Sequence, residues 1–137
     1  MPQGCDKILS VRLERIADMN IVEIDLSYLA GELGVGLEDL HNLFLLYCSE
    51  MESEIARAGR FLEEQDWQLL RRTVHNIKGV SANLGLKAMF EAARTIDVRL
   101  KENTTDTICH DFEALERCYS DTKASVKAAF GKHGMII

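Results

Sequence analysis

The chain has 137 residues, 47% of them hydrophobic and 28% charged, so it can bury the core of one domain and does not have a disordered composition. Its formal net charge of −6 argues against a general nucleic-acid binder, because phosphate backbones attract basic surfaces. No apolar stretch reaches the roughly 20 residues that span a bilayer, and the N-terminus lacks a basic-then-apolar signal sequence, so no membrane association and a cytoplasmic location are expected.

A single proline, Pro2, leaves the rest of the chain free of the strongest helix breaker, which favours an all-α fold. Residues 1–36 are expected to form an N-terminal extension of one or two helices. Apolar spacing indicates an amphipathic helix at 8–19, and Asp25 is placed to cap a short helix at 26–33. We expect this extension to pack across an end or a flank of the main bundle.

Four longer amphipathic helices are predicted within residues 37–131, because apolar residues there repeat every three or four positions. The first extends from Leu37 to about Glu63. The second begins after Asp66, whose carboxylate can cap it. It ends at Gly85, since glycine readily adopts the left-handed conformation that terminates a helix.

Two further helices complete the predicted bundle. The third carries apolar residues at 86–100, and the fourth carries them at 108–130, after a polar loop at 102–106. Residues 132–137 are expected to form a frayed C-terminal tail. Because short connections make successive long helices antiparallel, the predicted architecture is an antiparallel up-down four-helix bundle.

The second helix is predicted to place His75 on its solvent side. Residues advance by about 100° along a helix, so the apolar side chains of this helix fall within one arc, which must face the core. These side chains are Trp67, Leu70, Val74, Ile77 and Leu84. His75 lies more than about 100° from the centre of that arc. The residues on the same outer side are Arg71, Arg72, Lys78, Gly79 and Ala82.

Lys78 and Gly79 follow His75 by three and four positions, which places them on the same helix face. The lysine supplies a positive charge, and the glycine removes a side chain that would crowd the imidazole. This arrangement suits a ring that carries an anion while another protein approaches. The alternative interpretation is a solvated helix face without a function.

The segment resembles the signature of histidine-containing phosphotransfer (HPt) domains, which is His-x-x-Lys-Gly with a further glycine six residues on. The matching positions are His75, Lys78, Gly79 and Gly85. The likeness extends from about residue 37 to about residue 100, so it covers roughly half of the chain. The resemblance implies that His75 accepts a phosphoryl group from an aspartate of one receiver domain and passes it to an aspartate of another, in a multistep phosphorelay.

The residue types fit this chemistry. An imidazole is largely neutral near pH 7, so one of its ring nitrogens can act as the nucleophile. Lys78 can neutralise the phosphoryl oxygens, since phosphoryl transfer depends mainly on positioning and electrostatic stabilisation. Arg71 and Arg72 would add to this positive field or dock an acidic partner surface. Gly79 and Ala82 would leave room for the partner.

The partners implied by the resemblance are the receiver domains of a hybrid histidine kinase and of a response regulator. The resemblance places Mg²⁺ on the receiver domain, so no cofactor is expected on this chain. No glycine-rich phosphate loop, Walker-type lysine or acidic Mg²⁺ cluster is found, and we therefore expect a phosphotransfer intermediate without an ATP site or kinase activity. A monomer is expected, because a carrier must meet two partners through one face.

Two other functions are weighed against this one. A helical module would dock on a receiver or kinase domain without carrying phosphate. A helical-bundle enzyme or metal carrier would need inward-facing ligands, but no Glu-x-x-His pair occupies matching places on facing helices. The cysteines form no Cys-x-x-Cys pair, so we expect free thiols and no metal site. They are Cys5, Cys48, Cys109 and Cys118.

Several other polar residues are expected to have structural or surface roles. His41, His110 and His133 lie at surface or boundary positions of the predicted helices and tail. Ser81 and Asn83 are expected to bond within the bundle or to help end the second helix, and neither is assigned a catalytic role.

Overall fold

The computed structural model describes residues 24–137, and these residues form five α-helices and no β-strand. In chain order the helices are α1 (Leu26–Leu33), α2 (Leu37–Glu63), α3 (Trp67–Asn83), α4 (Lys87–Lys101) and α5 (Ile108–Gly131). The predicted all-α fold is confirmed for this part of the chain. The helix predicted at 8–19 lies outside the described residues.

Helices α2 to α5 form a four-helix bundle in which each helix packs on the next and α5 returns to pack on α2. Helices α2 and α5, the first and last of the bundle, are antiparallel. Phe44, near the start of α2, contacts Phe130 at the end of α5, whereas Gly59, near the end of α2, lies beside Phe112 at the start of α5. Short connections join the helices between them, so the chain direction alternates around the bundle as predicted.

The core of the bundle is apolar and is supplied by all four long helices. Its largest fully buried apolar side chains are Phe44, Phe130, Leu40, Met51, Leu70, Ile77, Met89, Ile96, Leu115, Val74 and Val126. Burying a side chain of this size stabilises the fold by about 1.5–3 kcal/mol. Trp67, which the helical spacing assigned to the core, is only partly buried, because it is the first residue of α3 and packs at the edge of the core.

Helix α1 packs on α2 at a flank of the bundle. The side chain of Asp25 accepts a hydrogen bond from the Tyr28 N–H at 3.0 Å, so the predicted N-cap is present. Leu26 and Ala30 bury the inner face of this helix. Leu29 lies near Gly85, which brings α1 close to the loop that follows α3.

Both ends of α3 are defined by side-chain or backbone geometry that the sequence predicts. The Asp66 carboxylate accepts a hydrogen bond from the Leu69 N–H at 3.2 Å at the N-terminus. Gly85 has a φ of 70° after the last turn, a left-handed conformation that other residues adopt only with strain. The 17-residue helix between these two points has His75 at its middle.

The C-terminal tail is packed against the bundle, and the expectation that it frays is wrong. The Ile136 carbonyl oxygen lies 2.7 Å from Nε2 of His41, and the Met135 N–H donates to the Phe130 carbonyl at 3.0 Å. The side chains of Met135 and Ile137 pack on the core. Apolar side chains thus hold the tail after the helix has ended. Among residues 24–137, no helix combines the length and the apolar character that crossing a membrane requires.

Candidate functional site

His75 extends into solvent from the middle of α3, and 70% of its side-chain surface is exposed. Its neighbour Val74 is fully buried, and so is Ile77 two positions on. The core therefore fixes the rotation of α3 about its axis, and that rotation directs the imidazole outward, as the helical spacing predicts. The ring is accessible to a large reaction partner.

Asp97 of α4 lies beside His75 and joins the charged side chains of this face. Its Oδ2 atom accepts a hydrogen bond from Nζ of Lys78 at 2.8 Å. Its Oδ1 atom accepts from Nε of Arg71 at 3.3 Å. Nδ1 of His75 is 3.8 Å from Oδ2, which is within range of electrostatic interaction but beyond hydrogen-bonding distance. We refer to these four residues as the Asp97 cluster.

The carboxylate of Asp97 keeps its negative charge in this environment. Its side chain is only 11% exposed, and this burial raises its pKa. The hydrogen bonds and positive charges of Lys78 and Arg71 outweigh burial, so the pKa of Asp97 lies below its ordinary value. Lys78 is therefore already paired with an anion, and its Nζ approaches the same oxygen that faces the imidazole.

The other side of His75, toward α2, is also polar. Nδ2 of Asn76 donates to Oε2 of Glu54 at 2.9 Å, and a longer contact of 3.5 Å joins it to Oε1 of Glu50. Glu54 is buried and forms an ion pair with Arg57, one turn further along α2, at 2.8 Å. These contacts fix α3 against α2 at the level of His75.

Gly79 leaves open space one turn after His75. A Cβ atom added at this position would have no atom within 4 Å beyond its own helix backbone and its chain neighbours. Ala82, a further turn along, is exposed. No large side chain therefore projects from these two positions next to the imidazole, which leaves room for another protein to approach it.

The predicted site residues differ in where the structure places them. His75, Lys78 and Arg71 come together around Asp97, whereas Arg72 is exposed on α3 outside the Asp97 cluster. Gly85 ends the helix and supports the site only through the backbone.

Asp97 is the residue of this site that the sequence prediction missed. Helical spacing puts it on the same side of α4 as Ala93 and Leu100, which are buried core residues. A charged residue on a buried helix face almost always has a partner, so its position in the apolar stripe was an available signal.

Ser81 and Tyr47 form a buried polar contact below the site. The two hydroxyl oxygens are 2.8 Å apart, and Ser81 is fully buried. Burial raises the pKa of Tyr47 to about 12, although the hydrogen bond with Ser81 acts in the opposite direction. The phenol therefore stays protonated near neutral pH, and the pair ties α2 to α3 without providing an acid or a base.

The arrangement presents an exposed imidazole, a group that can act as a nucleophile, next to a lysine that can pair with an anion. Within residues 24–137, no group of three or more histidine, cysteine, aspartate or glutamate side chains is placed to hold a metal ion. The side chains on this face are the exposed imidazole and its charged neighbours.

A protein-family model described as the Hpt domain matches residues 42–125, which is more than half of the chain. The matched region contains both His75 and Asp97. Comparison with curated proteins gave no match, and neither did comparison with solved structures.

Proposed function

This chain belongs to the Hpt domain family, and from that membership we propose that His75 accepts a phosphoryl group from a receiver-domain aspartate and passes it to a second receiver-domain aspartate. Hpt domains are phosphotransfer modules of phosphorelays and lack kinase activity, so the general role of the chain follows from its family. The observation that supports His75 as the carrier is its exposure on α3, with Lys78 and the open position of Gly79 beside it.

The ring nitrogen that attacks is Nε2 in this proposal. Nδ1 lies 3.8 Å from the carboxylate of Asp97, so a phosphoryl group on Nδ1 would be repelled by that negative charge. The lone pair of Nε2 forms a bond to phosphorus while the bond from phosphorus to the aspartyl oxygen of the receiver breaks, and that oxygen leaves as a carboxylate. Onward transfer reverses these steps, because a carboxylate oxygen of the second receiver attacks phosphorus and the N–P bond breaks.

The first receiver belongs to a hybrid histidine kinase and the second to a response regulator in this proposal. Each receiver would supply the Mg²⁺ ion that neutralises the transferring phosphoryl group, since charge stabilisation dominates phosphoryl transfer. The carrier would act in the cytoplasm as a monomer and would use the surface around His75 for both partners. Arg72 and Ala82, exposed on that surface, would contact the incoming receiver.

Radiolabelled phosphoryl transfer from a phosphorylated receiver tests the proposal. We expect the protein to acquire a label that is stable in alkali and labile in acid, as N-phosphohistidine is, and His75→Gln to acquire none. His133→Gln, which alters an exposed histidine of the C-terminal tail, is the matched control and should label as the wild type does. Equal labelling of His75→Gln and the wild type would refute the assignment. Binding of the receiver without any label would instead favour a docking module that carries no phosphate.

A further inference from the structure

In the Asp97 cluster, Lys78 is hydrogen-bonded to the same carboxylate oxygen that faces the imidazole of His75. A single oxygen atom, Oδ2 of Asp97, accepts from Nζ of Lys78 at 2.8 Å and lies 3.8 Å from Nδ1 of His75. The other oxygen of the carboxylate is held by Arg71 at 3.3 Å. The carboxylate is thus fixed from its far side, and it faces the imidazole with its charge intact.

We propose that Asp97 competes with the phosphoryl group on His75 for Lys78, and that this competition keeps the phosphoryl group transferable. The inference rests on the proposed phosphocarrier function. Once His75 is phosphorylated, two anions compete for the ammonium group of Lys78, namely the Asp97 carboxylate and the phosphoryl group. Because Arg71 anchors Asp97, the carboxylate stays in place and retains part of the lysine. Asp97 is therefore a positioning residue that acts through Lys78.

Neutralising Asp97 without changing its shape should release Lys78 to the phosphoryl oxygens. Ion pairing stabilises the dianionic phosphoryl group more than the loose transition state, in which these oxygens carry less charge. Asp97→Asn should then make the phosphohistidine longer-lived. The chain provides a matched control, since Asp111 on α5 accepts from Nε of Arg99 at 3.2 Å and is similarly protected, with 13% of its side chain exposed.

The lifetime of the phosphohistidine can be measured without any receiver. Phosphoramidate transfers its phosphoryl group to a histidine nitrogen, as its own P–N bond breaks and ammonia leaves. After removal of excess reagent, the ³¹P NMR signal of phospho-His75 is followed as water attacks phosphorus and the ring nitrogen recovers its lone pair. We expect Asp97→Asn to slow this decay about tenfold, the effect of roughly one unit charge at short range in a partly exposed site. Asp111→Asn should decay at the wild-type rate.

A double variant shows whether Asp97 acts through the lysine. In a Lys78→Ala background, adding Asp97→Asn should change the decay rate by less than about twofold, since no lysine is left to release. The inference would be overturned by wild-type decay in Asp97→Asn, or by a tenfold slowing that persists without Lys78. Because phosphoramidate replaces the receiver, the two proposals fail separately. A chain labelled by phosphoramidate but by no phosphorylated receiver would refute the relay function, while the decay rates would still decide the role of Asp97.

Discussion

Two clusters in this bundle join a carboxylate to a lysine of another helix, but they differ in the side chain that lies beside the ion pair. The first is the Asp97 cluster, between α3 and α4. The second, which we name the Glu52 cluster, lies between α2 and α5. In it Nζ of Lys123 donates to Oε2 of Glu52 at 2.6 Å, and the Tyr119 hydroxyl donates to the same oxygen at 2.7 Å. The Tyr119 hydroxyl also contacts the carbonyl oxygen of Cys48 at 3.1 Å.

The clusters resemble each other electrostatically. The hydrogen bonds from Lys123 and Tyr119 lower the pKa of Glu52, just as positive neighbours lower the pKa of Asp97. They differ in what accompanies the ion pair. Burial, followed by the hydrogen bond to Glu52, raises the pKa of Tyr119, so its phenol is a poor nucleophile near neutral pH. The Asp97 cluster instead contains an exposed imidazole.

Exposure is also distributed in opposite ways. Asp97 is nearly buried and its imidazole neighbour is open, whereas half of the Glu52 side chain is exposed and its aromatic neighbour Tyr119 is buried. An ion pair by itself therefore does not identify a functional site in this bundle. The feature that distinguishes the Asp97 cluster is a buried carboxylate that faces an exposed imidazole and is paired with a lysine.

Replacing the lysine of each cluster should give the largest difference between the two clusters in their effect on phosphoryl transfer. Lys78→Ala removes the cation next to His75, and we expect the rate of phosphoryl transfer from a receiver to fall about 10- to 100-fold. This loss is smaller than that of a buried transition-state donor, because the lysine stabilises the phosphoryl group on His75 more than the transition state that leads to it. Lys123→Ala should leave this rate unchanged. Single-turnover transfer kinetics with one phosphorylated receiver would measure both. An unchanged rate in Lys78→Ala would show that the lysine does not act on the phosphoryl group.

The open position at Gly79 provides the second contrast. A Cβ meets no neighbouring atom there, so Gly79→Trp should fold but should slow transfer about tenfold by blocking the receiver. Ala124→Trp places the same side chain on an exposed position of α5 next to the Glu52 cluster and should have no effect on transfer. Gly79→Ala should raise the free energy of unfolding by about 0.5–1 kcal/mol, because glycine weakens a helix interior. Normal transfer by Gly79→Trp would mean that the receiver docks elsewhere.

The outward direction of His75 could be predicted from the sequence because it depends only on α3 itself. The buried positions of Leu70, Val74 and Ile77 fix which face of this helix is turned toward the core, and the direction of every other side chain on the helix follows from that. The caps at Asp66 and Gly85 could be predicted for the same reason, since they depend on local backbone geometry.

The pairing of α3 with Asp97 could not be predicted in the same way, because it depends on two helices. Periodicity places Asp97 on the inner side of α4, but it does not say which residue of α3 lies opposite. That register is set by the packing of the core and by the short connection around Gly85. The tail was mispredicted for a related reason, since the contact between His41 and Ile136 joins residues that are far apart in the sequence.

The hydroxyl of Tyr119 should contribute to stability but not to function. Tyr119→Phe removes its hydrogen bonds to Glu52 and to the Cys48 carbonyl, and we expect the free energy of unfolding to fall by about 1 kcal/mol. Phosphoryl transfer to His75 should keep its wild-type rate. Urea denaturation and transfer kinetics on the same preparation would test both statements. A loss of transfer in the folded variant would mean that the two clusters are coupled through the bundle.

The smallest expected difference between the clusters lies in their response to acid and salt. The folded pKa values of Asp97 and Glu52 lie below the ordinary ones, so the unfolded chain takes up protons first as the pH falls. The stability that each carboxylate contributes is therefore complete above about pH 5 and is lost as the pH falls through its folded pKa. Asp97→Asn should remove the share of Asp97 from this pH dependence, which we expect to be below about 1 kcal/mol.

Because Glu52 is far more exposed, added salt should weaken its contribution to stability more than that of Asp97. Urea denaturation between about pH 3 and pH 7, at low and high salt, with Asp97→Asn and Glu52→Gln beside the wild type, would measure the two shares. Equal salt sensitivity of both would mean that Asp97 is as well hydrated as Glu52, and its hold on Lys78 would then be too weak to compete with a phosphoryl group.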